Sequence, residues 1–557
     1  MIVLCKKLSL DFENAKVIES CDESFDVEGF TIFTCPALYH RVKDVVTDYR
    51  VLDLRVLKAF ENPNRVAKAL LSAEEVEVEY VYDVVEVGRD VVYVGDNLEI
   101  INDLSLHCNL TVITENEDVI ERLYPYDVRV IKGVVKKIEG SIGNFNIYVD
   151  GYDLVRGSKI EVIKAGQIIH PKFDGDVEGI YKDEYYGAFK VLSNLGGFMK
   201  LVTVNINLDV CGVFKSGLIG CDYCLQCPTG SLKLKNGKIV VDYTTCIGCG
   251  YCSSICFTSA IENKLLPQDK LIEKIDRVTS VTDCKVLAFV CEKSLGSLRR
   301  FKDLPDVAPI LVPCINSVSE VHYLYAVLKG FRVLAVKCDC QNLRTECFDI
   351  AKKTLRAFGF DCLEMTDWAN FKDIYEKLSV RDVPKVDFKL KGKNKREMWL
   401  SLIESLMVYE LKERKFDSKF FGKIRVGESC TLCNTCINFC PMNAIRKEDG
   451  KLIFTHALCI ACNLCSKACP EKAIQVENVL DFGELGEKVV FEDEMIRCPR
   501  CGKPHISKRA YEKIKALTGM EKALMFCKDC RPVVLLEGLY EEVLKDIEEM
   551  RRRKLGD

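Results

Sequence analysis

Residues 430–441 read C-T-L-C-N-T-C-I-N-F-C-P, and residues 459–470 read C-I-A-C-N-L-C-S-K-A-C-P. Between them lies a strand-like K-L-I-F-T. The run is C-x2-C-x2-C-x3-C-P written twice. Three thiolates two residues apart wrap a tight loop around one iron–sulfur cube, leaving backbone N–H groups free to bond its sulfides. The fourth cysteine, ahead of proline, points away to the other cube. That cross-over rule groups Cys430, Cys433, Cys436 and Cys469 around one centre, and Cys459, Cys462, Cys465 and Cys440 around its neighbour. Eight cysteines in this doubled order weigh heavily against zinc or structural disulfides.

The pattern resembles a ferredoxin module holding two [4Fe–4S] clusters. A less regular copy occupies residues 201–266. Its second half, C-I-G-C-G-Y-C-S-S-I-C at 246–256, has the standard spacing, although Phe257 replaces proline. Its first half reads Cys211-x9-Cys221-x2-Cys224-x2-Cys227-Pro228, with a loop in the first gap and the last cysteine one residue early. Cross-over pairing gives Cys246, Cys249, Cys252 and Cys227 for one centre, and Cys211, Cys221, Cys224 and Cys256 for the other.

The chain has 557 residues, enough for several domains. Hydrophobic residues make up 48%, sufficient for ordinary packed interiors, and a net charge of −4 gives no electrostatic reason to expect nucleic acid or an anionic membrane as partner. No apolar stretch approaches the roughly 18 residues needed to span a bilayer, and the N-terminal M-I-V-L-C-K-K is too short for a secretory signal. A cytoplasmic protein is expected. In such a chain 31 grouped cysteines point to metal rather than to a disulfide scaffold. High charge with few glutamines resembles hyperthermophile usage.

Residues 1–72 read as a small α/β unit, with F-T-I-F-T-C-P as strand and turn and P-N-R-V-A-K-A-L-L-S-A as helix. Cys5, Cys21, Cys35-Pro36 and His40 resemble the N-terminal part of the flavin-bearing subunit of heterodisulfide reductase. That family implies an iron–sulfur cluster of its own here; three buried small cysteines are the alternative. Residues 73–200 contain V-V-Y-V-G-D-N, a helix and a second strand, the layout of a dinucleotide fold. Of its G-x-G-x-x-G only Gly95 survives, and Glu115 stands where a ribose-binding acid belongs. The same family has a flavin domain at this place, so Gly95 and Glu115 are candidate FAD contacts. The missing glycines make a degenerate Rossmann-like scaffold without flavin the preferred reading.

Residues 280–378 hold three β-rich apolar runs, V-L-A-F-V-C, A-P-I-L-V-P-C and R-V-L-A-V-K-C-D-C, with helical patterns between them. This predicts a parallel α/β sheet whose strand-end cysteines converge at one edge. The order resembles the delta subunit of methyl-viologen-reducing hydrogenase, which implies a [2Fe–2S] cluster on Cys291, Cys314 and Cys338, with Cys347 as fourth ligand and Cys340 as the alternative. Residues 390–425 are a charged linker and an amphipathic helix expected to pack between modules; the regular ferredoxin module spans 426–480. Residues 495–535 carry Cys498, Cys501, Cys527 and Cys530 as two C-x2-C knuckles, the ligand set of a structural zinc ribbon, with rubredoxin-like iron as alternative. Residues 536–557 read as a charged, solvated helix.

The fold class is thus multidomain α/β plus α+β. No nucleophile–base pair or phosphate loop occurs, so the function read here is non-catalytic: an iron–sulfur subunit relaying electrons. By family resemblance its partners are heterodisulfide-reductase-like or hydrogenase-like redox subunits, or ferredoxin. An FAD-containing electron-bifurcating oxidoreductase and an iron–sulfur redox sensor or scaffold are the alternatives.

Overall fold

The structure is a computed structural model. It describes residues 54–557 except 124–125, 175–176, 218–219, 244, 520 and 556–557, together with four short strands of the first 53 residues. Those strands, Ile2–Cys5, Ala15–Ile18, Thr31–Phe33 and Tyr49–Val51, form a parallel sheet. Cys21, Cys35 and His40 lie outside the described residues, and Cys5 is placed only as the end of its strand.

Residues 82–201 centre on a seven-stranded sheet. Arg129–Ser141, Asn109–Thr114, Asp90–Val94, Gln167–Ile169 and Ile180–Tyr181 run parallel in that order, and Asn144–Asp153 and Ser158–Ala165 add antiparallel strands at the edge. Alternate residues face opposite ways. Val91, Tyr93 and Val112 meet the helix Leu98–Ser105 and Val191 of the helix Glu184–Ser193. Val92, Ile113 and Ile131 meet Phe145, Ile147 and Ile163 of the antiparallel strands.

The second sheet has four parallel strands in the order Ala308–Val312, Val286–Cys291, Arg332–Val336 and Leu363–Thr366. Every residue of its first two strands is buried, which is why they read as unbroken apolar runs. Helices cover both faces: Glu320–Leu328 and Glu346–Ala357 on one, Phe371–Ser379 on the other. The helix Pro63–Glu74 belongs here as well, since Leu70 and Leu71 pack against Val286 and Ala288. The sequence boundary at residue 72 therefore falls inside an element of this domain. The apolar face of that helix is satisfied by a sheet more than 200 residues away, a partner that local periodicity does not reveal.

The two cysteine-rich modules share one plan. In each, an antiparallel pair frames two cysteine loops and a hairpin: Lys415–Val426 with Ile474–Asp481 around Ile445–Glu448 and Lys451–Thr455, and Val204–Ile206 with Ile261–Asn263 around Leu232–Lys235 and Lys238–Val241. The helix Lys395–Leu406 lies between the four-stranded domain and the second module, with Trp399, Leu402, Ile403 and Leu406 fully buried. That is the packing role its amphipathic pattern predicts. Among the described residues no helix is long and apolar enough to cross a membrane.

Candidate iron–sulfur centres

Backbone conformation marks the cysteine loops before any sulfur is considered. In the regular module Leu432 and Asn434 flank Cys433 with φ of 52° and 69°, and Ala461 and Asn463 flank Cys462 with 53° and 59°. In the first module Gly248 and Gly250 flank Cys249 with 66° and 75°. Left-handed residues alternating with ordinary ones turn successive N–H groups toward one point and make an anion-binding concavity of the kind seen at iron–sulfur sites. A leucine and an alanine held there are uncommon enough to signal function.

A second mark follows each final cysteine. The residue three positions on is left-handed in all four cases: Asn443, Lys472, Ser259 and Gly230, with φ of 51°, 50°, 55° and 65°. Each donates its N–H back to the cysteine carbonyl, of Cys440, Cys469, Cys256 and Cys227. In the regular module the next N–H bonds sulfur, Ala444 to Cys440 Sγ at 3.2 Å and Ala473 to Cys469 Sγ at 3.4 Å. Phe257 therefore occupies the same turn that Pro228, Pro441 and Pro470 do, and the missing proline leaves the turn intact.

Around Cys221–Cys224 the flanking pattern is different. Asp222 has φ of −122° and Tyr223 begins a short 3₁₀ segment, so this half lacks the doubled left-handed loop.

The cysteines of each module lie near one another, both within and between the groups that the cross-over rule proposes. Burial pushes the Cys436 thiol up to about 12, and Cys430, Cys433 and Cys469 beside it add to the shift. Burial likewise raises Cys465, whose neighbours include Cys459, Cys462 and Cys440. In the first module burial raises Cys252 beside Cys249, Cys246, Cys227 and Cys256, and raises Cys224 beside Cys256, Cys252 and Cys211. Cys221 joins the latter set. Such thiols bind metal as thiolates, so loading each group releases protons. Buried thiols clustered without a disulfide among them suit clusters held by four thiolates.

The two modules adjoin through their cysteine loops. Cys221 lies beside Cys462 of the other module. A Cβ placed on Gly220 would meet Leu464 Cγ at 2.3 Å and the Cys462 carbonyl at 2.8 Å, so only glycine permits this approach. The Tyr223 hydroxyl donates to the carbonyls of Ile460 and Lys419, at 2.7 and 2.9 Å, which bolts the modules together.

At the same junction Arg396 is wholly buried. It stacks on Phe421 and Phe257 at 3.8 and 4.4 Å, donates Nη2 to the Phe420 carbonyl at 2.8 Å, and among the described residues has no hydrogen-bond partner at Nε or Nη1. Burial holds the guanidinium down to about 10, with Glu320 and Cys459 the principal opposing groups.

At its other end the first module abuts the four-stranded domain. A Cβ on Gly250 would meet Ser317 Cβ at 2.6 Å, Ser254 Oγ donates to the Asn316 carbonyl at 2.6 Å, and the Asn316 side chain bonds the Cys249 thiol. There Cys291, Cys314 and Cys338 meet at the carboxyl ends of their strands. Hydrogen bonding from Cys314 lowers the Cys291 thiol, burial opposes it, and Cys338 assists. The fourth sulfur in contact is Cys340, bonded to Cys338. Cys347 does not join them: it is buried on the helix Glu346–Ala357 and donates to the Ser254 carbonyl at 3.3 Å. The sulfurs brought together at this edge thus include Cys340, the alternative read from sequence, and not Cys347. The turn after Arg332–Val336 carries Cys338 and Cys340 on neighbouring positions, whereas the helix sets Cys347 aside.

The knuckles Cys498, Cys501, Cys527 and Cys530 bring all four sulfurs within 4.8 Å of one another, with Cys501 and Cys527 at 3.6 Å. Four thiolates at about 2.3 Å from one tetrahedral ion have sulfurs spaced in this way, so the set fits a single zinc or iron ion rather than a cube. His505 is half-buried and stands apart from the set, its Nε2 bonded to the Leu524 carbonyl at 3.0 Å.

The residues at Gly95 do not fit a flavin pyrophosphate. A Cβ there would meet the Tyr93 hydroxyl at 2.5 Å and Glu184 Oε1 at 3.1 Å, and the same hydroxyl accepts the Asn97 N–H at 3.0 Å. Tyr93 thus fills the space that a phosphate needs and occupies a helix N–H that would bind it. Glu184 and Asp96 add negative charge where an anion would sit; burial, and then the Glu184 carboxylate, raise the Tyr93 hydroxyl. Glu115 is exposed at the end of its strand.

Comparison with known families agrees with the cysteine geometry. The 4Fe–4S dicluster domain matches residues 429–474, and the 4Fe–4S binding domain matches residues 239–262. The second match takes in Cys246–Cys256 and leaves Cys211–Cys227 outside it. No curated protein matches the chain. With two ferredoxin-type 4Fe–4S domains, this is an iron–sulfur protein of the electron-transfer class.

Proposed function

We propose that the chain is a linear electron relay that passes electrons between partner redox subunits. The observation that carries this reading is the unbroken succession of cysteine groups across three domains. It runs from Cys291, Cys314, Cys338 and Cys340, through Cys227, Cys246, Cys249 and Cys252, then Cys211, Cys221, Cys224 and Cys256, then Cys440, Cys459, Cys462 and Cys465, to Cys430, Cys433, Cys436 and Cys469. In this reading the last four groups hold [4Fe–4S] clusters and the first a [2Fe–2S] cluster. Bound clusters supply one-electron chemistry, with potentials set by hydrogen bonds to sulfur, net charge and exposure. The protein supplies spacing, dry surroundings and amide donors.

The exposed Cys433 makes the last group the natural exit toward a soluble partner. Cys498, Cys501, Cys527 and Cys530 hold structural zinc. The finer assignment, membership of a heterodisulfide-reductase-like or hydrogenase-like complex or service by ferredoxin, rests on the sequence resemblance. The filled turn at Gly95 speaks against the bifurcating alternative.

Anaerobically purified protein assayed for iron, acid-labile sulfide, zinc and flavin tests the reading. Four cubes and a two-iron cluster require about eighteen iron atoms per chain, with no FAD. Near-stoichiometric FAD, or iron for only two cubes, would overturn it.

A further inference from the structure

The helix Arg531–Leu555 runs for 25 residues straight out of the Cys527–Cys530 knuckle, which is five residues earlier than the charged segment read from sequence. It is rooted there: Arg531 N–H donates to the Cys527 carbonyl at 2.9 Å, Val534 N–H to the Cys530 carbonyl at 3.1 Å, and Arg500 pairs with Glu537 at 2.8 Å. Pro532 sits in the first turn, where its missing N–H has no helical partner to lose. Beyond this root the helix continues for about 27 Å at 1.5 Å per residue.

Its exposed face is not merely charged. Val533, Leu536, Tyr540, Val543, Ile547 and Met550 are between 42% and 66% exposed. Their spacing is three, four, three, four and three. This is the a/d seam of a heptad repeat, which buries its side chains only against another helix. A solvated helix with such a stripe and no partner is marginal in water.

The flanking positions select the partner. Numbering Val533 as a places Leu539 and Asp546 at g, and Glu537, Leu544 and Arg551 at e. In a parallel, in-register pair of identical helices, each g faces the e five residues on in the other chain. Asp546 then faces Arg551 of the second copy, and Leu539 faces Leu544, so both contacts are complementary. Fully overlapped antiparallel helices would instead set Asp546 against Leu539 and Glu537 against Leu544. The a positions are Val533, Tyr540 and Ile547 and the d positions Leu536, Val543 and Met550; the β-branched a residues with Leu536 at d follow the two-stranded preference, and the charged flank sets the register. We infer that this helix is a dimerisation element, joining two copies of the chain through a parallel coiled coil.

Sedimentation of the full-length, cluster-loaded chain at micromolar concentration tests this. The wild type should sediment as a dimer. Val543→Glu with Ile547→Glu should give a monomer whose cluster absorption is unchanged. Asp546→Arg and Arg551→Asp should each weaken the dimer by at least tenfold in dissociation constant, and the double exchange should restore it. A monomeric wild type overturns the inference, even if the chain then joins a different protein. A dimer that survives the paired glutamates also overturns it. If each single exchange weakens the dimer and the double exchange fails to restore it, the parallel register is wrong.

Discussion

The two ferredoxin-type modules solve one problem with different local means. The module at 426–480 has its loop conformations stated twice, Leu432/Asn434 and Ala461/Asn463, with prolines closing both turns. The module at 201–266 keeps this in one half, with glycines in place of strained residues, and replaces the other half with a long loop and a 3₁₀ turn at Tyr223–Gln226. The irregular half is the one pressed against the neighbouring module, through Gly220 and Tyr223. The facing side of the same junction keeps regular spacing, since the Cys459–Cys465 loop offers the Ile460 and Cys462 carbonyls there, so the irregular half alone is reshaped to fit.

The sharpest way to break the comparison is to remove a ligand from each kind of half. Cys436→Ala in the regular module and Cys224→Ala in the irregular half should each cost about one cube of iron and sulfide, about four atoms of each. Iron content unchanged in the second variant alone would mean the irregular half holds no cube.

Next in size is the knuckle. Cys498→Ala should release one zinc and loosen residues 495–535 to proteolysis while the EPR spectrum of the cubes stays as in the wild type. Loss of cube signal would show that these sulfurs serve a cluster.

Gly220→Leu tests the interface itself. Overpacking typically costs about 1–3 kcal/mol, and the new side chain meets Leu464 and the Cys462 carbonyl. Thermal unfolding should begin lower and the magnetic coupling between modules should weaken, with iron content unchanged. Unaltered coupling would remove the junction from the electron path.

The smallest expected effect is that of Arg396→Met, which deletes a buried positive charge near Cys459. Potentiometric titration should show the cluster of that group harder to reduce. A tenfold change in equilibrium corresponds to about 59 mV for one electron. Arg396→Lys should recover part of the shift. A potential unmoved in both variants would reduce Arg396 to packing.

Cysteine spacing carried most of the site. The clustering of sixteen cysteines into two modules was legible from their spacing, and three of the four strands of the parallel sheet were legible from apolar runs ending in cysteine. Cys340 against Cys347 was not, because the choice depends on where the helix Glu346–Ala357 begins. Arg396 was missed: a basic residue in a charged segment reads as solvated, and the rings that bury it include Phe257 and Phe421 from other elements besides Trp399 of its own helix. The Gly95 turn gave a half-signal. The surviving glycine suggested a phosphate site, yet Tyr93, two residues before it, fills the space. The heptad seam of the last helix lay in plain view, hidden by the many charges between its apolar positions.

The most direct test of the relay is EPR of the fully reduced, anaerobic protein. A continuous row of centres predicts broad, spin-coupled signals that integrate to several spins per chain, and that simplify when Cys224→Ala removes the junction cluster. Sharp, independent signals that are the same in the wild type and in that variant would contradict it.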